Sequence, residues 1–146
     1  MAAARSLKML GRKRCALDEK GRLNFPFRPK DDDSVTLVLV PWNRKSIRVF
    51  TEERWDEWTL PTESGPMLKD DEDLLWLTSH SAAVVTDKQG RITIPPDLRD
   101  YAGLGKEVMV VGANSTAEIV NIDRWLENEA KSNPDKALEN LQERGL

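Results

Sequence analysis

"LDEKGRLNFP" runs from Leu17 to Pro26, and "TDKQGRITIP" runs from Thr86 to Pro95. In each, an Asp is followed by a charged or amide pair, then Gly-Arg, then an alternating run that ends in Pro. The Gly-Arg pairs lie 69 residues apart, and the Arg-Trp pairs Arg54-Trp55 and Arg124-Trp125 lie 70 apart. Two landmarks that keep register to within one residue mark an internal duplication of units of roughly 50 residues. Two units make a pseudo-twofold pair, not a solenoid.

The second copy gives the plan. Ala82–Thr86 is a β-branched and apolar strand, and Asp87–Gly90 is a tight turn, since Gly accepts the positive φ such turns need. Arg91–Ile94 alternates polar and apolar as a half-buried strand does. Pro95-Pro96-Asp97 opens a short helix that Gly103 closes. Glu107–Gly112 and Ala117–Asn121 make a hairpin, and Asp123 is positioned to cap a helix from Arg124. The first copy follows with strands Val35–Val40 and Ile47–Phe50 around a Trp42-Asn43 loop. Thr51 there caps a helix bearing Trp55 and Trp58. "RPKDDDS" stands where the short helix should be, and Pro29 with three consecutive Asp disfavours a helix there.

The expected architecture is mainly β with α (α+β), as one domain over 1–146. A first repeat spans 8–58, a linker ("LPTESGP", 60–66) and a helix near Lys69–Leu77 fill 59–80, and a second repeat spans 81–130. A weakly held tail spans 131–146. Eight short strands that bury little in either half should pack together as one mixed barrel or sandwich.

Composition narrows the function. The 146 residues carry 32% charged and 39% hydrophobic side chains, with no long apolar run that would span a membrane. The first ten residues, "MAAARSLKML", lack the long apolar core and cleavage pattern of a secretory signal, and read as a disordered start in preference to an amphipathic transit peptide. Net charge is −3, yet residues 1–30 hold nine Lys/Arg against two acids. A basic segment on an acidic body suits either a polyanion or a solvated tail. Lone Cys15 has no CxxC partner and excludes an intrachain disulfide; lone His80, at a helix end, reads as a cap rather than a catalyst. No phosphate-binding glycine loop is present, and Asp31-Asp32-Asp33 lacks calcium-loop spacing. Hence no catalytic residues, no cofactor and no metal site are expected. Trp55, Trp58 and Trp125 fall on helix faces as packing residues, and Trp42 looks exposed.

The repeated turn is what remains. Each D-x-x-G-R places an Arg immediately after the turn, on a strand start. A two-stranded β-ribbon fits the DNA major groove, and Arg suits bidentate contact with guanine or phosphate. Lys20 and Lys88 add charge for the backbone. Equally, Asp and Gly build the turn while Arg pairs with Asp across it. With two copies the readings stand level.

"DKQGRITIPPDLRDYAGLGKEVMVVGANSTAEIVNIDRW" resembles the second half of the MraZ family of bacterial transcriptional regulators of the division and cell-wall cluster. "LDEKGRL", with Gly11 seven residues before Asp18, resembles the first half. The likeness covers most of residues 8–130 and extends more widely to AbrB and SpoVT-like regulators and some antitoxins. It implies a double swapped-hairpin β-barrel with flanking helices, self-association into a ring oligomer, and double-stranded promoter DNA with tandem repeats as partner. Location would be cytoplasmic and nucleoid-associated, with repression of its own operon. Carried over by position, Lys20 and Arg22, with Lys88 and Arg91, face DNA. Asp18, Gly21, Asp87 and Gly90 form the turns. Arg12 and Arg14 add phosphate contacts on charge alone. The sequence departs from the family three times: residues 1–7 extend beyond the usual family start, Pro26-Phe27-Arg28 is two residues shorter than P-x-x-F-R, and Gln89 replaces the motif's Lys. The first copy is thus the stronger DNA candidate. An antitoxin-like or assembly module on the same fold is the alternative function.

Overall fold

A computed structural model describes residues 8–27, 34–63 and 71–146, with backbone only for 61–63. The readings made for residues 1–7, for Arg28 to Asp33 and for the linker beyond Glu63 lie outside the described residues. The strands are β1 (Arg12–Ala16), β2 (Arg22–Asn24), β3 (Thr36–Trp42), β4 (Ser46–Thr51), β5 (Ala82–Val85), β6 (Arg91–Thr93), β7 (Glu107–Gly112) and β8 (Thr116–Asn121). The helices are α1 (Glu52–Glu63), α2 (Glu72–Ser79), α3 (Pro96–Ala102), α4 (Ile122–Ala130) and α5 (Pro134–Glu143).

Strands β1, β7, β8, β4, β3 and β5 form one antiparallel sheet in that order, and β2 pairs with β6 in a separate ribbon. Exchanging β1 with β5, β3 with β7 and β4 with β8 returns the same order reversed, so the pairing is invariant to swapping the halves. The registers locate the axis. In β2–β6, Leu23 faces Ile92, and in β4–β8, Arg48 faces Glu118. Each is a pair of repeat-equivalent residues, which an antiparallel ladder brings face to face only on a twofold axis.

The expected closed barrel does not form: among the described residues the six-stranded sheet has two edges, β1 and β5, and the ribbon stays apart from it. The reason lies in the ends of β2 and β6. Each is three residues long, preceded by a tight turn and followed within two residues by Pro26 or Pro95. A proline lacks the N–H that a longer ladder would use, so neither strand extends to join β1 or β5. The halves are held together instead by a continuous core. Leu23, Phe25, Leu37, Leu39, Ile47, Ile92, Ile94, Val108 and Ile119 are nearly or wholly buried and pack in one cluster.

Local chemistry explains most boundaries. Thr51 Oγ1 accepts from the Arg54 N–H at 3.1 Å, capping α1 as expected. Gly103 closes α3 in the left-handed conformation (φ 61). His80 ends α2, with Nδ1 2.7 Å from the Trp76 carbonyl. α4 starts two residues earlier than expected, because Asn121, not Asp123, takes the Arg124 N–H (3.0 Å). α1 runs through Glu63, into the stretch read as linker. Trp42 is not a free loop residue: it ends β3, half-buried, edge-on to Phe50 and Trp58, with the Arg48 guanidinium 5.0 Å above it. Tyr101 donates its hydroxyl to the Trp42 carbonyl at 2.7 Å.

Candidate nucleic-acid interface

The two D-x-x-G-R turns fold alike, atom for atom. Asp18 Oδ1 accepts from the backbone N–H of Lys20 (3.0 Å) and of Arg22 (2.8 Å). Asp87 Oδ1 accepts from Gln89 (2.9 Å) and Arg91 (2.8 Å). Backbone bonds close both turns: Gly21 N–H to the Asp18 carbonyl, Gly90 N–H to the Asp87 carbonyl, each at 2.9 Å. The geometry demands left-handed glycines, with φ of 78 at Gly21 and 79 at Gly90. Each carboxylate is held below the ordinary value of 3.8, chiefly by the backbone N–H of the Arg four residues on; partial desolvation works against this.

The remaining oxygen, Oδ2, takes Nε of the same Arg, at 2.7 Å for Asp18–Arg22 and 2.8 Å for Asp87–Arg91. The two readings of the turn therefore do not compete. Pairing through Nε orients the guanidinium, and among the described residues no protein group takes its two terminal nitrogens. Arg has five donors in a rigid fork, so one bond to Asp leaves the outer edge available.

Antiparallel pairing of β2 with β6 then sets the two turns at opposite ends of one short ribbon. Leu23 and Ile92 point into the core, so Arg22, Asn24, Arg91 and Thr93 share the outward face. The diagonal positions Arg22 and Arg91 are about 7–8 Å apart by ladder geometry. A groove of 670 Å³ runs along this face, lined among others by Lys13, Arg14, Arg22, Arg91, Asn24 and Gln89. Among the described residues the only acid in its wall is Asp18, already paired with Arg22.

Of the residues singled out from sequence, Arg14, Arg22, Arg91 and Asp18 line this groove. Lys20 and Lys88 sit exposed on the turns, outside the groove wall; Arg12 is exposed on edge strand β1. Gly21 and Gly90 are buried beneath the turns. Arg14 is committed, its Nε paired with Glu107 on β7. Lys13, Asn24 and Gln89 were not singled out as contacts. Alternation outward from buried Leu23 marks Asn24 in the sequence; nothing local marks Lys13, which reaches the groove by the pairing of β1 with β7. Arg124 was also missed: it donates to the Lys45 carbonyl at 2.8 Å, holding the β3–β4 turn where Arg44 and Lys45 have positive φ.

Cys15 is buried, and burial raises its thiol pKa. No described helix is long and apolar enough to cross a membrane.

These features define a duplicated turn-and-ribbon protein that gathers the arginines of both copies on one cationic groove. The family model described as "MraZ protein, putative antitoxin-like" matches residues 77–145. The chain is 39% identical over 113 residues to the transcriptional regulator MraZ of Paenarthrobacter aurescens (strain TC1), covering 76% of this chain and 79% of that protein. It is 33% identical over 136 residues to the transcriptional regulator MraZ of Ligilactobacillus salivarius (strain UCC118), covering 90% and 95%. With the regulator of the same name from Syntrophomonas wolfei it shares 28% identity over 141 residues, or 94% and 99% of the two chains. The chain belongs to the MraZ family, whose members here carry the name of a transcriptional regulator and not of an enzyme.

Proposed function

We propose that this protein is a sequence-specific DNA-binding transcriptional regulator whose β2–β6 ribbon enters the major groove. The observation that carries this reading is the convergence of Arg22 and Arg91 with Lys13 and Arg14 on one groove. A two-stranded ribbon fits the roughly 12 Å major groove, and paired terminal nitrogens match the N7/O6 edge of guanine. Lys20, Lys88 and Arg12 flank that face and suit phosphates. The aspartates act on DNA only through the arginines they orient.

A single ribbon makes few contacts, so we read the active species as a ring-like oligomer on tandem promoter repeats, gaining affinity by multivalency. Leu75, Trp76, Leu126, Leu138 and Leu141 are exposed on α2, α4 and α5, which supports apolar contact between copies. We take the target to be the promoter of the protein's own division and cell-wall operon, repressed from a nucleoid-associated position in the cytoplasm. The interleaving of strands between halves supports a swapped-hairpin ancestry for the open sheet. The same exposed leucines favour a second reading, an antitoxin-like or assembly module that binds another protein.

Gel-shift on the upstream region of its own operon tests the proposal. Binding should weaken steeply as salt rises, and Arg22→Ala with Arg91→Ala should abolish it while mean residue ellipticity is unchanged. Binding left intact in that double variant rejects the ribbon as the DNA-facing surface. Mass measurement of the free protein tests the ring; a monomer at working concentration excludes it.

A further inference from the structure

The ribbon is twofold in backbone but not in side chains. Its axis relates Arg22 to Arg91, Lys20 to Gln89, and Thr93 to Asn24. One corner therefore presents Gln89, Arg91 and Asn24, and its image presents Lys20, Arg22 and Thr93. The two amides flank one arginine: Asn24 stands opposite Arg91 in the ladder, Gln89 lies two residues before Arg91, and all three line the one groove. Asn24 and Gln89 are exposed, and among the described residues neither side-chain amide has a hydrogen-bond partner. The asymmetry extends to the sheet edge. Lys13 and Arg14 on β1 line the same groove, whereas their images on β5 are Ala82 and Ala83.

We infer that Asn24 and Gln89 are specificity-determining residues that make one chain read a non-palindromic element, with an adenine contacted beside the base that Arg91 reads. Asn and Gln are the side chains whose paired donor and acceptor match adenine N6 and N7 in the major groove. A ribbon with true twofold side chains would present the same chemistry to both strands and favour an inverted repeat. Here the amide corner accepts an adenine edge, the Lys–Thr corner does not discriminate in that way, and Lys13 fixes the orientation on the phosphates. The inference rests on the DNA-binding reading and names the base preference within it.

The test is selection of bound sequences from random duplex DNA by the full chain and by a symmetrised variant, Asn24→Thr with Gln89→Lys. Each replacement is the residue already at the image position, on an exposed site, and both arginines are retained. The wild type should select a non-palindromic element containing adenine. The variant should still bind, with a log–log salt slope steeper by up to about one for the added lysine, but select a symmetric element. Replacing the selected adenine by 7-deazaadenine should weaken the wild type roughly tenfold and leave the variant unaffected. If the variant selects the wild-type element, or if 7-deazaadenine weakens both alike, the inference fails while DNA binding stands. If the wild type binds no duplex at all, the DNA reading fails and takes the inference with it.

Discussion

Gly21→Ala should cost far more than an alanine in a strand turn ordinarily does. Gly21 sits at φ +78, and a Cβ there would lie 2.8 Å from both Nε and Cζ of Arg99 and 3.0 Å from the Ile94 carbonyl oxygen. The left-handed conformation alone costs an alanine about 1–2 kcal/mol. Arg99 must also move, and it currently donates from Nε to that same Ile94 carbonyl at 3.0 Å. Losing that bond adds about 1 kcal/mol. The backbone contact cannot swing aside, since the Gly21 carbonyl receives the Ile94 N–H at 2.8 Å in the ribbon ladder. The sum is about 2–3 kcal/mol, or roughly 4–12 °C in Tm for a chain of this size. Urea unfolding followed by tryptophan fluorescence measures it, at one fixed protein concentration because any self-association would shift the midpoint. Gly105→Ala is the control: nothing lies within 4 Å of its Cβ position, and it should be near neutral. A Gly21→Ala variant within 0.5 kcal/mol of wild type would falsify the packing argument.

Acid stability should follow the turn aspartates. Their native values are lowered, so the stabilisation is present above the ordinary 3.8 and is lost as pH falls through the lower native value. Asp18→Asn with Asp87→Asn should flatten the unfolding-midpoint profile in that acid window; an unchanged slope counts against the turns. Lys13→Ala should reduce the slope of log affinity against log salt by about one, and Arg14→Ala by less, because Arg14 is shared with Glu107; equal slopes in titrations of the two variants refute the distinction. Tyr101→Phe removes the 2.7 Å bond to the Trp42 carbonyl and should cost about 1 kcal/mol in urea, with no change in DNA affinity. Cys15 should resist a thiol reagent at neutral pH until urea unfolds the chain, given its burial and raised pKa; fast labelling of the native protein contradicts this.

What was legible in the sequence is what is locally encoded. Asp18 to Arg22 and Asp87 to Arg91 carry all the turn's chemistry within five residues, so the duplication and both hairpin tips could be read directly. Helix α3 was legible for the same reason, through Pro96 and Gly103. Sheet closure was not, because whether β2 joins β1 or β6 depends on partners 70 residues away. The cap of α4 was misplaced by two residues because both Asn121 and Asp123 suit the role, and β8 decides which is in reach. The groove was half legible. Arg22 and Arg91 advertise themselves by repetition, whereas Lys13 and Asn24 gain meaning only once β1, β2 and β6 lie side by side.

The pair Arg48–Glu118 on the twofold axis has a further consequence. In an assembly of two identical half-length chains, a residue on the axis meets only its own copy, so an arginine there would face an arginine. Joining the halves in one chain removes that restriction. Here Arg48 faces Glu118 at 3.7 Å, reaches Thr116 at 2.9 Å, and Glu118 accepts from Ser46 at 2.9 Å. Opposite charges at a symmetry axis are open only to unlike partners. The seam of this protein is thus written for these two halves in this order: two copies of the first half would set arginine against arginine there, and two copies of the second would set glutamate against glutamate.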